Sequence, residues 1–260
     1  DEIARLDRRV GEMMQVLEER GMVENTVVVV MSDNGAPMVR DKATVYDSGV
    51  QTPFVVSWKG RYSEGERSDA LLSMIDLAPT VLDLAGLPIP ESMYGRSMVD
   101  LFEDPAKPGR ERVFAERNWH GTDAHMRMIR GPKYKLILNG FPDLQFPITG
   151  NYPRMGAWRE LLRLKQEDKL TPAQSRIFEF PRPIVEFYDL EKDPHELTNL
   201  AYHLEHRHLI AEYVSELRAW HKATGDHFAY EKPRRHDWLV RQTGIRLDRK
   251  RTHAVWPREH

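Results

Sequence analysis

The chain has 260 residues, no cysteine and a formal net charge of −2, with 40% apolar and 30% charged residues. The lack of cysteine excludes disulfides, cysteine nucleophiles and thiolate metal sites. The nearly balanced charge does not favour bulk attraction to nucleic acids or membranes, and no apolar run reaches the length of a membrane span. Length and composition therefore indicate a globular protein with a sizeable core.

The first 110 residues show the pattern of an α/β layer. Apolar residues recur at helical spacing over residues 1 to 20, which predicts an amphipathic helix that ends at Gly21. Residues 27 to 31 are apolar on both faces, as expected of a buried central parallel strand, and residues 53 to 58 predict a second buried strand. A helix is expected over residues 69 to 86, with a kink or break at Pro79.

From about residue 111 the pattern changes to that of a small antiparallel sheet with a packing helix. Strands are expected at 111–116, within 126–138 and at 185–190, and helices at 157–166 and 203–221. Residues 133 to 138 alternate between polar and apolar, which predicts a half-exposed strand. These patterns divide the chain into residues 1–110, residues 111–230 and a basic tail at 231–260. The tail holds nine Lys/Arg against four Asp/Glu and is interpreted as a solvated segment.

The end of the first predicted strand is the most informative point for function. Its valines lead into Ser32-Asp33-Asn34-Gly35, which is either a simple turn or a pair of oxygen ligands at a strand end. In open α/β sheets, sites lie at the carboxyl ends of parallel strands. A carboxylate beside a carboxamide supplies hard oxygens of the kind that Ca²⁺ or Mg²⁺ prefers. Lys42 follows eight residues after Asn34 and could stabilise an oxyanion beside such a cation.

Several segments in this order resemble the sulfatase family of the alkaline-phosphatase-like superfamily. They are VVVVMSDNG, KATVYDSGVQTPFVVSWKG, SMIDLAPTVLDLAGLPIPESMYGRSMVDLF and FYDLEKDPHELTNLA. The resemblance covers about residues 1 to 228. Two further segments, ILNGFPDLQFPITGNYP and EYVSELRAWHKATGDHF, are most similar to the heparan N-sulfatase (sulfamidase) branch.

The resemblance implies a fold. The chain would be an α/β protein forming part of an alkaline-phosphatase-like sandwich, followed by a smaller C-terminal antiparallel-sheet α+β subdomain. Residues 1–110 would be the C-terminal part of the catalytic domain.

The resemblance also implies a site. Asp33 and Asn34 would ligate Ca²⁺, and Lys42 would contact the sulfate group during catalysis. His120 would line the substrate pocket, with His125 and Arg127 as further substrate-binding candidates. The substrate would be a sulfated carbohydrate, such as an N-sulfoglucosamine or another glycosaminoglycan unit.

The chain departs from the family pattern at the nucleophile. The family uses a formylglycine made within a Cys/Ser-x-Pro-x-Arg motif, which this sequence lacks. The family's early aspartates and histidine are also not found. We therefore expect a C-terminal portion that is inactive alone and needs the missing N-terminal half, or another chain, to complete the fold. The family implies a periplasmic, extracellular or lysosome-like compartment, which the sequence itself leaves open, and no signal peptide is recognised.

Two alternatives remain at this point. The first is a phosphodiesterase or phosphonate hydrolase of the same superfamily, which would carry Thr or Ser without the Pro-x-Arg context as its nucleophile. The second is a non-catalytic module that binds sulfated glycans through Lys42, His120 and the basic tail.

Overall fold

A computed structural model of the chain describes residues 1–120, 123–148 and 152–226. The basic tail predicted at 231–260 lies outside these residues. Within them, the helices are Glu2–Glu19 (α1), Asp47–Val50 (α2), Leu77–Leu84 (α3), Val99–Glu103 (α4), Gly156–Gln166 (α5), Pro172–Ser175 (α6) and Arg207–Thr224 (α7). The strands are Val28–Met31 (β1), Phe54–Ser57 (β2), Val113–Trp119 (β3), Asp123–Arg130 (β4), Tyr134–Asn139 (β5) and Val185–Asp189 (β6). No helix in the described part is both long and apolar enough to cross a membrane.

The chain forms two compact units. The first contains Asp1–Asp33 and Thr52–Glu111, and the second contains Asn34–Gln51 and the residues from Arg112 onward. The sequence predicted boundaries near residues 110 and 230, of which the second lies outside the described residues. The structure differs because the segment Asn34–Gln51 packs with the residues that follow Arg112. Its partners come from far along the chain, which local sequence patterns do not reveal.

The first unit contains α1, the β1–β2 pair, α3 and α4. The Asp1 carboxylate caps α1 by accepting a hydrogen bond from the Ile3 backbone N–H at 3.1 Å. The helix ends at Glu19 and is capped by Arg20, and the next residue, Gly21, has a φ of +63°, as suits the left-handed residue that follows a helix. Both features match the predicted helix. Its apolar stripe is exposed in the chain, with Ile3 81% and Leu6 61% accessible.

The predicted parallel, fully buried arrangement of the first strand is wrong. β1 pairs with β2 in the antiparallel direction, with Val28 opposite Ser57 and Met31 opposite Phe54. Among the described residues this sheet has only these two strands, so Met31 remains 40% exposed. The apolar run identified a strand correctly, but periodicity does not identify the direction of its partner.

The helix predicted at 69–86 begins later, and Pro79 does not break it. A 3₁₀ turn at Met74–Asp76 leads into α3, and Pro79 lies in the first turn of α3. Backbone N–H groups there have no partner within the helix, so proline is tolerated. Asp76 and Thr80 organise the following segment. The Asp76 carboxylate accepts from the Arg96 backbone at 2.9 Å and from Arg110 Nε at 2.7 Å, and the Thr80 hydroxyl accepts from the Met98 backbone at 2.9 Å.

The second unit is built on an antiparallel sheet of order β3-β4-β5-β6, as the sequence predicted. One face packs against α7. On this face, Ile129 of β4, Leu136 of β5 and Phe187 of β6 form a buried cluster with Tyr213 and Leu217 of α7. This core fixes the sheet that carries the candidate site.

The opposite face of the sheet is also buried and mixes apolar side chains, such as Met128 and Ile137, with charged ones, which corrects the prediction of a half-exposed strand at 133–138. Lys135 is fully buried, and its Nζ lies 2.9 Å from Asp47 Oδ1 and 2.8 Å from Glu196 Oε1. Arg130 Nε donates to Asp47 at 3.1 Å, and Glu196 Oε2 accepts from the Asp47 backbone N–H at 2.7 Å. We call these four residues the buried ion cluster. Polar and apolar residues do alternate in this strand, but the segment around Asp47 covers the side that bears Lys135.

The charges in this cluster depend on one another. Burial tends to raise the pKa of Asp47, but the Lys135 and Arg130 cations outweigh it and hold that pKa below its ordinary value. Burial raises the pKa of Glu196, an effect that Lys135 opposes. Lys135 is therefore the cation that allows two carboxylates to remain together inside the unit.

We predict that Lys135→Met in the complete protein destabilises the second unit by about 3–5 kcal/mol, because Glu196 is left buried without its cation. Denaturant unfolding monitored by near-UV circular dichroism measures the change. Lys169→Met is the matched control, since Lys169 pairs with Glu167 at the surface, where water screens the ion pair and its loss should change stability little. The double variant Lys135→Met/Glu196→Met restores charge balance and should recover part of the loss. Equal effects of Lys135→Met and Lys169→Met would contradict the prediction.

Candidate functional site

The second unit contains a cleft of about 400 Å³ at the end of β3. Two segments line it, one near the start of the unit and one at the end of the strand: Asn34, Lys42, Ala43 and Thr44, and Glu116, Arg117, Asn118, Trp119 and His120. The cleft therefore brings together three of the residues predicted from the sequence, namely Asn34, Lys42 and His120.

Lys42 lies in a compact loop, residues 36–46, that folds back on itself. The Lys42 backbone N–H donates to the Ala36 carbonyl at 3.0 Å. Arg40 and Ala43 on either side have φ values of +72° and +62°, a conformation that costs roughly 1–2 kcal/mol per non-glycine residue. Such strain persists only where surrounding contacts impose it. We call residues 36–46 the Lys42 loop.

Contacts from distant residues hold the Lys42 loop in place. Before Lys42, the Arg40 guanidinium donates to the carbonyls of His195 at 2.8 Å and Glu196 at 2.5 Å. After Lys42, the Asp47 backbone N–H donates to the Glu196 carboxylate. Arg117 also donates to the Ala43 carbonyl. Glu196 therefore binds the chain on both sides of Lys42, and the buried ion cluster fixes Glu196.

A close backbone approach also defines the start of the segment. The Gly35 N–H donates to the Gly49 carbonyl at 3.0 Å. A Cβ at Gly35 would lie 1.9 Å from the Ser48 carbonyl oxygen, and one at Gly49 would lie 2.3 Å from the Asp41 carbonyl oxygen. Both positions require glycine because the Cβ of any other residue would collide with the neighbouring backbone and force the two backbone segments apart.

The cleft is cationic. The half-buried Lys42 ammonium forms no hydrogen bond or ion pair with any residue in the described ranges. Arg117 is buried, and desolvation lowers its pKa to about 10, so it remains a cation at neutral pH. The carboxylate of Glu116 lies 3.5 Å from Arg127 Nε, a guanidinium that pairs more closely with Asp226. The lining thus carries two cations against one carboxylate, an arrangement suited to an anionic ligand.

Of the three substrate-binding candidates, the structure brings only His120 to the cleft, where its side chain is exposed. His125 and Arg127 are 3% and 1% exposed and do not line it. His125 packs edge-on against Phe141, with ring centroids 5.8 Å apart. Arg127 forms a bidentate ion pair with Asp226 at 2.6 and 2.9 Å. Both lie on β4, so their side chains support the sheet behind the cleft.

The two metal-ligand candidates are consecutive in the sequence but belong to different units. Asp33 is the last residue of the first segment and is exposed, whereas Asn34 is half-buried and lines the cleft. In kind, a carboxylate and a carboxamide oxygen suit Ca²⁺. In number, the set is incomplete, because the described part of the chain contains no group of three or more His, Cys, Asp or Glu placed to hold a metal. Further ligands would have to come from elsewhere.

The sequence did not single out Arg117, Asn118 or Glu196 as site residues. Arg117 and Asn118 adjoin the predicted His120, and the polar run Glu116-Arg117-Asn118 at a strand end was the available signal. Glu196 belongs to the Asp-Pro-x-Glu segment, which was recognised but had no assigned role. Its role depends on residues about 150 positions away, which no local pattern indicates.

Comparisons with known proteins identify relatives of the chain. A family model described as N-sulphoglucosamine sulphohydrolase, C-terminal, matches residues 36–142, which include every cleft-lining residue except Asn34. An ulvan-active sulfatase from Formosa agariphila is 35% identical over 230 residues, which is 86% of this chain. The chain belongs to the sulfatase family.

Other matches agree with this family assignment. Human N-sulphoglucosamine sulphohydrolase is 28% identical over 86% of the chain. A solved structure described as a complex with its substrate D-glucosamine-2-N,6-O-disulfate superposes with a TM-score of 0.65 at 20% identity, covering 88% of this chain and 41% of the other, which supports the fold. A model described as type I phosphodiesterase / nucleotide pyrophosphatase matches residues 1–63. The chain spans only 37% and 47% of the lengths of the ulvan-active sulfatase and the human relative.

We predict that His125 makes the stability of the second unit sensitive to acid. Desolvation, with Arg127 adding to it, lowers the pKa of His125 to about 4, while Asp226 opposes the shift and His221 reinforces it. The unfolded state therefore binds the proton first as the pH falls below about 6.5, and stability decreases. Between pH 7 and pH 5 we expect a loss of about 2 kcal/mol from this group.

Denaturant unfolding of the complete protein at both pH values measures this loss. His125→Gln should reduce the difference between pH 7 and pH 5, but not abolish it, because burial also lowers the pKa of His221. The exposed His203 provides the control variant His203→Gln, which should leave the difference unchanged. An unaltered difference in His125→Gln would contradict the assignment.

Proposed function

We propose that the complete protein is a sulfatase that removes sulfate from an anionic sugar of the glycosaminoglycan type, with N-sulfoglucosamine as the first substrate to test. The observation that carries this proposal is the cleft, which Lys42, Arg117 and His120 line together; within the described residues the Lys42 ammonium has no hydrogen-bond or ion-pair partner. The match to the N-sulphoglucosamine sulphohydrolase model, which includes every cleft-lining residue except Asn34, supports the choice of substrate.

In this proposal, each lining group has a separate role. Lys42 binds a sulfate oxygen and stabilises the negative charge that develops on the transferred group. Arg117 strengthens the same field from the end of β3 and holds the Lys42 loop through the Ala43 carbonyl. His120, exposed at the rim, offers a hydrogen bond to the sugar. The formylglycine nucleophile implied by the family resemblance would come from the part of the complete protein outside this chain, so we expect this chain alone to be inactive.

We propose Asp33 and Asn34 as the ligands that this chain contributes to a Ca²⁺ ion. When bound, the ion would polarise the sulfate oxygens. The remaining ligands would belong to the rest of the complete protein. The same missing part would cover the exposed apolar stripe of α1, because a helix with such a stripe ordinarily buries it.

The first prediction concerns Lys42. Lys42→Ala in the complete protein should lower kcat/KM for N-sulfoglucosamine by at least about 10²-fold, because a positioned charge opposite the developing oxyanion is lost. The free energy of unfolding should change little, since the ammonium has no partner among the described residues. Lys59→Ala, at an exposed lysine, is the control. An unchanged kcat/KM would remove Lys42 from the site and end the proposal.

The same proteins distinguish the phosphodiesterase alternative, which the match at residues 1–63 favours. Hydrolysis of a phosphate diester or phosphonate monoester at a higher kcat/KM than the sulfated sugar would reassign the reaction. In that case Lys42→Ala should still be impaired, because both reactions transfer an anionic group.

The second prediction concerns the metal. Asp33→Ala should weaken Ca²⁺ binding by the complete protein at least about tenfold, as a lost carboxylate ligand would. Isothermal titration calorimetry after chelator treatment measures the Kd directly, independently of activity. Asp7→Ala removes an exposed carboxylate of α1 and should leave the Kd unchanged. Identical Ca²⁺ affinities for the Asp33 and Asp7 variants would exclude Asp33 as a ligand.

A further inference from the structure

Arg127 is buried, does not line the cleft, and uses four of its five N–H groups in hydrogen bonds within the protein. Its Nε and Nη2 donate to the two carboxylate oxygens of Asp226, and its Nη1 donates to the Met126 carbonyl at 2.9 Å. Its Nη2 also donates to Asn118 Oδ1 at 2.8 Å. The side chain is buried, and each nitrogen of the guanidinium is engaged within the protein. Any effect of Arg127 on a ligand must therefore pass through a neighbour.

Asn118 is one of two neighbours of Arg127 that line the cleft; the other, Glu116, lies farther away, with its carboxylate 3.5 Å from Arg127 Nε. The Asn118 side chain is exposed and forms part of the lining. Because a guanidinium only donates hydrogen bonds, its contact with Asn118 must be to the amide oxygen. The two N–H groups of the Asn118 amide then remain as donors. No residue in the described ranges accepts a hydrogen bond from them.

The end of α7 holds this arrangement in place. Gly225 adopts a left-handed conformation, with φ of +68°, that ends the helix immediately before Asp226. The hydrogen bonds from Arg127 hold the pKa of Asp226 below its ordinary value, so the carboxylate stays charged at neutral pH. The ion pair therefore persists and keeps the Asn118 amide in one orientation.

We infer that Asn118 is a substrate-binding residue that donates a hydrogen bond to a sulfate or carboxylate oxygen of the anionic sugar, and that Arg127 and Asp226 position it. The inference rests on the proposed function, because it assigns a further contact in the same cleft. Lys42 and Arg117 supply the charge that attracts the anion, and Asn118 supplies a neutral donor with a fixed direction. A fixed donor selects among anions by geometry, whereas a flexible lysine does so weakly.

The test compares four variants of the complete protein on N-sulfoglucosamine. Asn118→Ala should raise KM, and the Kd measured without turnover, by about tenfold, because one hydrogen bond to a charged group is lost. Asn118→Asp should raise both further, since it replaces the donors with a negative charge, although it still pairs with Arg127 and should fold. Arg127→Met should raise KM about as much as Asn118→Ala does.

The double variant Asn118→Ala/Arg127→Met separates positioning from structure. If Arg127 acts through Asn118, Arg127→Met should change KM less than about twofold in the Asn118→Ala background. Its effect on unfolding should persist in both backgrounds, because the ion pair with Asp226 is lost in each. Arg112→Met is the matched control, because Arg112 pairs with Glu212 and Glu216 outside the cleft lining. It should lower stability without changing KM.

Three results decide the matter. Unchanged KM and Kd in Asn118→Ala, while Lys42→Ala is impaired, would overturn this inference and leave the proposed function standing. A full additional rise in KM for Arg127→Met in the Asn118→Ala background would overturn the positioning role. Unimpaired Lys42→Ala would instead overturn the proposed function.

Discussion

The arrangement of the second unit depends on one buried cation. Lys135 is shared between Asp47, next to the Lys42 loop, and Glu196, in the Asp-Pro-x-Glu turn after β6. Because a buried carboxylate without a partner is costly, these groups must come together or remain in water. The resulting contact holds the Lys42 loop against the face of the sheet that bears Lys135. The geometry of the cleft is thus set by an electrostatic requirement inside the protein, several residues away from the groups that face the ligand.

The two faces of the sheet are stabilised by different interactions. The apolar face packs against α7 through Ile129, Leu136 and Phe187, which stabilises the unit by removing apolar surface from water. Charged groups on the other face hold the Lys42 loop through directional hydrogen bonds and ion pairs. Apolar packing tolerates small shifts, whereas charged groups at 2.7–2.9 Å define positions closely. The second kind of support suits the role proposed for the cleft, which is to bind an anion.

The sequence predicted the elements more successfully than their partners. The helix at Glu2–Glu19 and the antiparallel strands after residue 111 followed from periodicity and capping, which are local signals. Local signals did not predict the antiparallel direction of β1, the burial of Lys135 or the packing of Asn34–Gln51 within the second unit. Each of these depends on a partner far along the chain; Asp47, for example, is 88 residues from Lys135. For the site, the family resemblance indicated Asn34, Lys42 and His120, which line one cleft, but it could not show that His125 and Arg127 are buried behind it.

The long separations within the second unit also bear on the order in which it can form. Contacts that fix the Lys42 loop join residues 149 and 155 positions apart, so the loop cannot acquire its shape until β5, β6 and the turn after β6 are in place. Closing such distant contacts costs chain entropy before any stabilisation is gained, which slows folding. During synthesis, residues 36–46 would leave the ribosome long before their partners and would wait without a fixed conformation. The cleft that we propose binds an anion is therefore among the last features of the nascent chain to form.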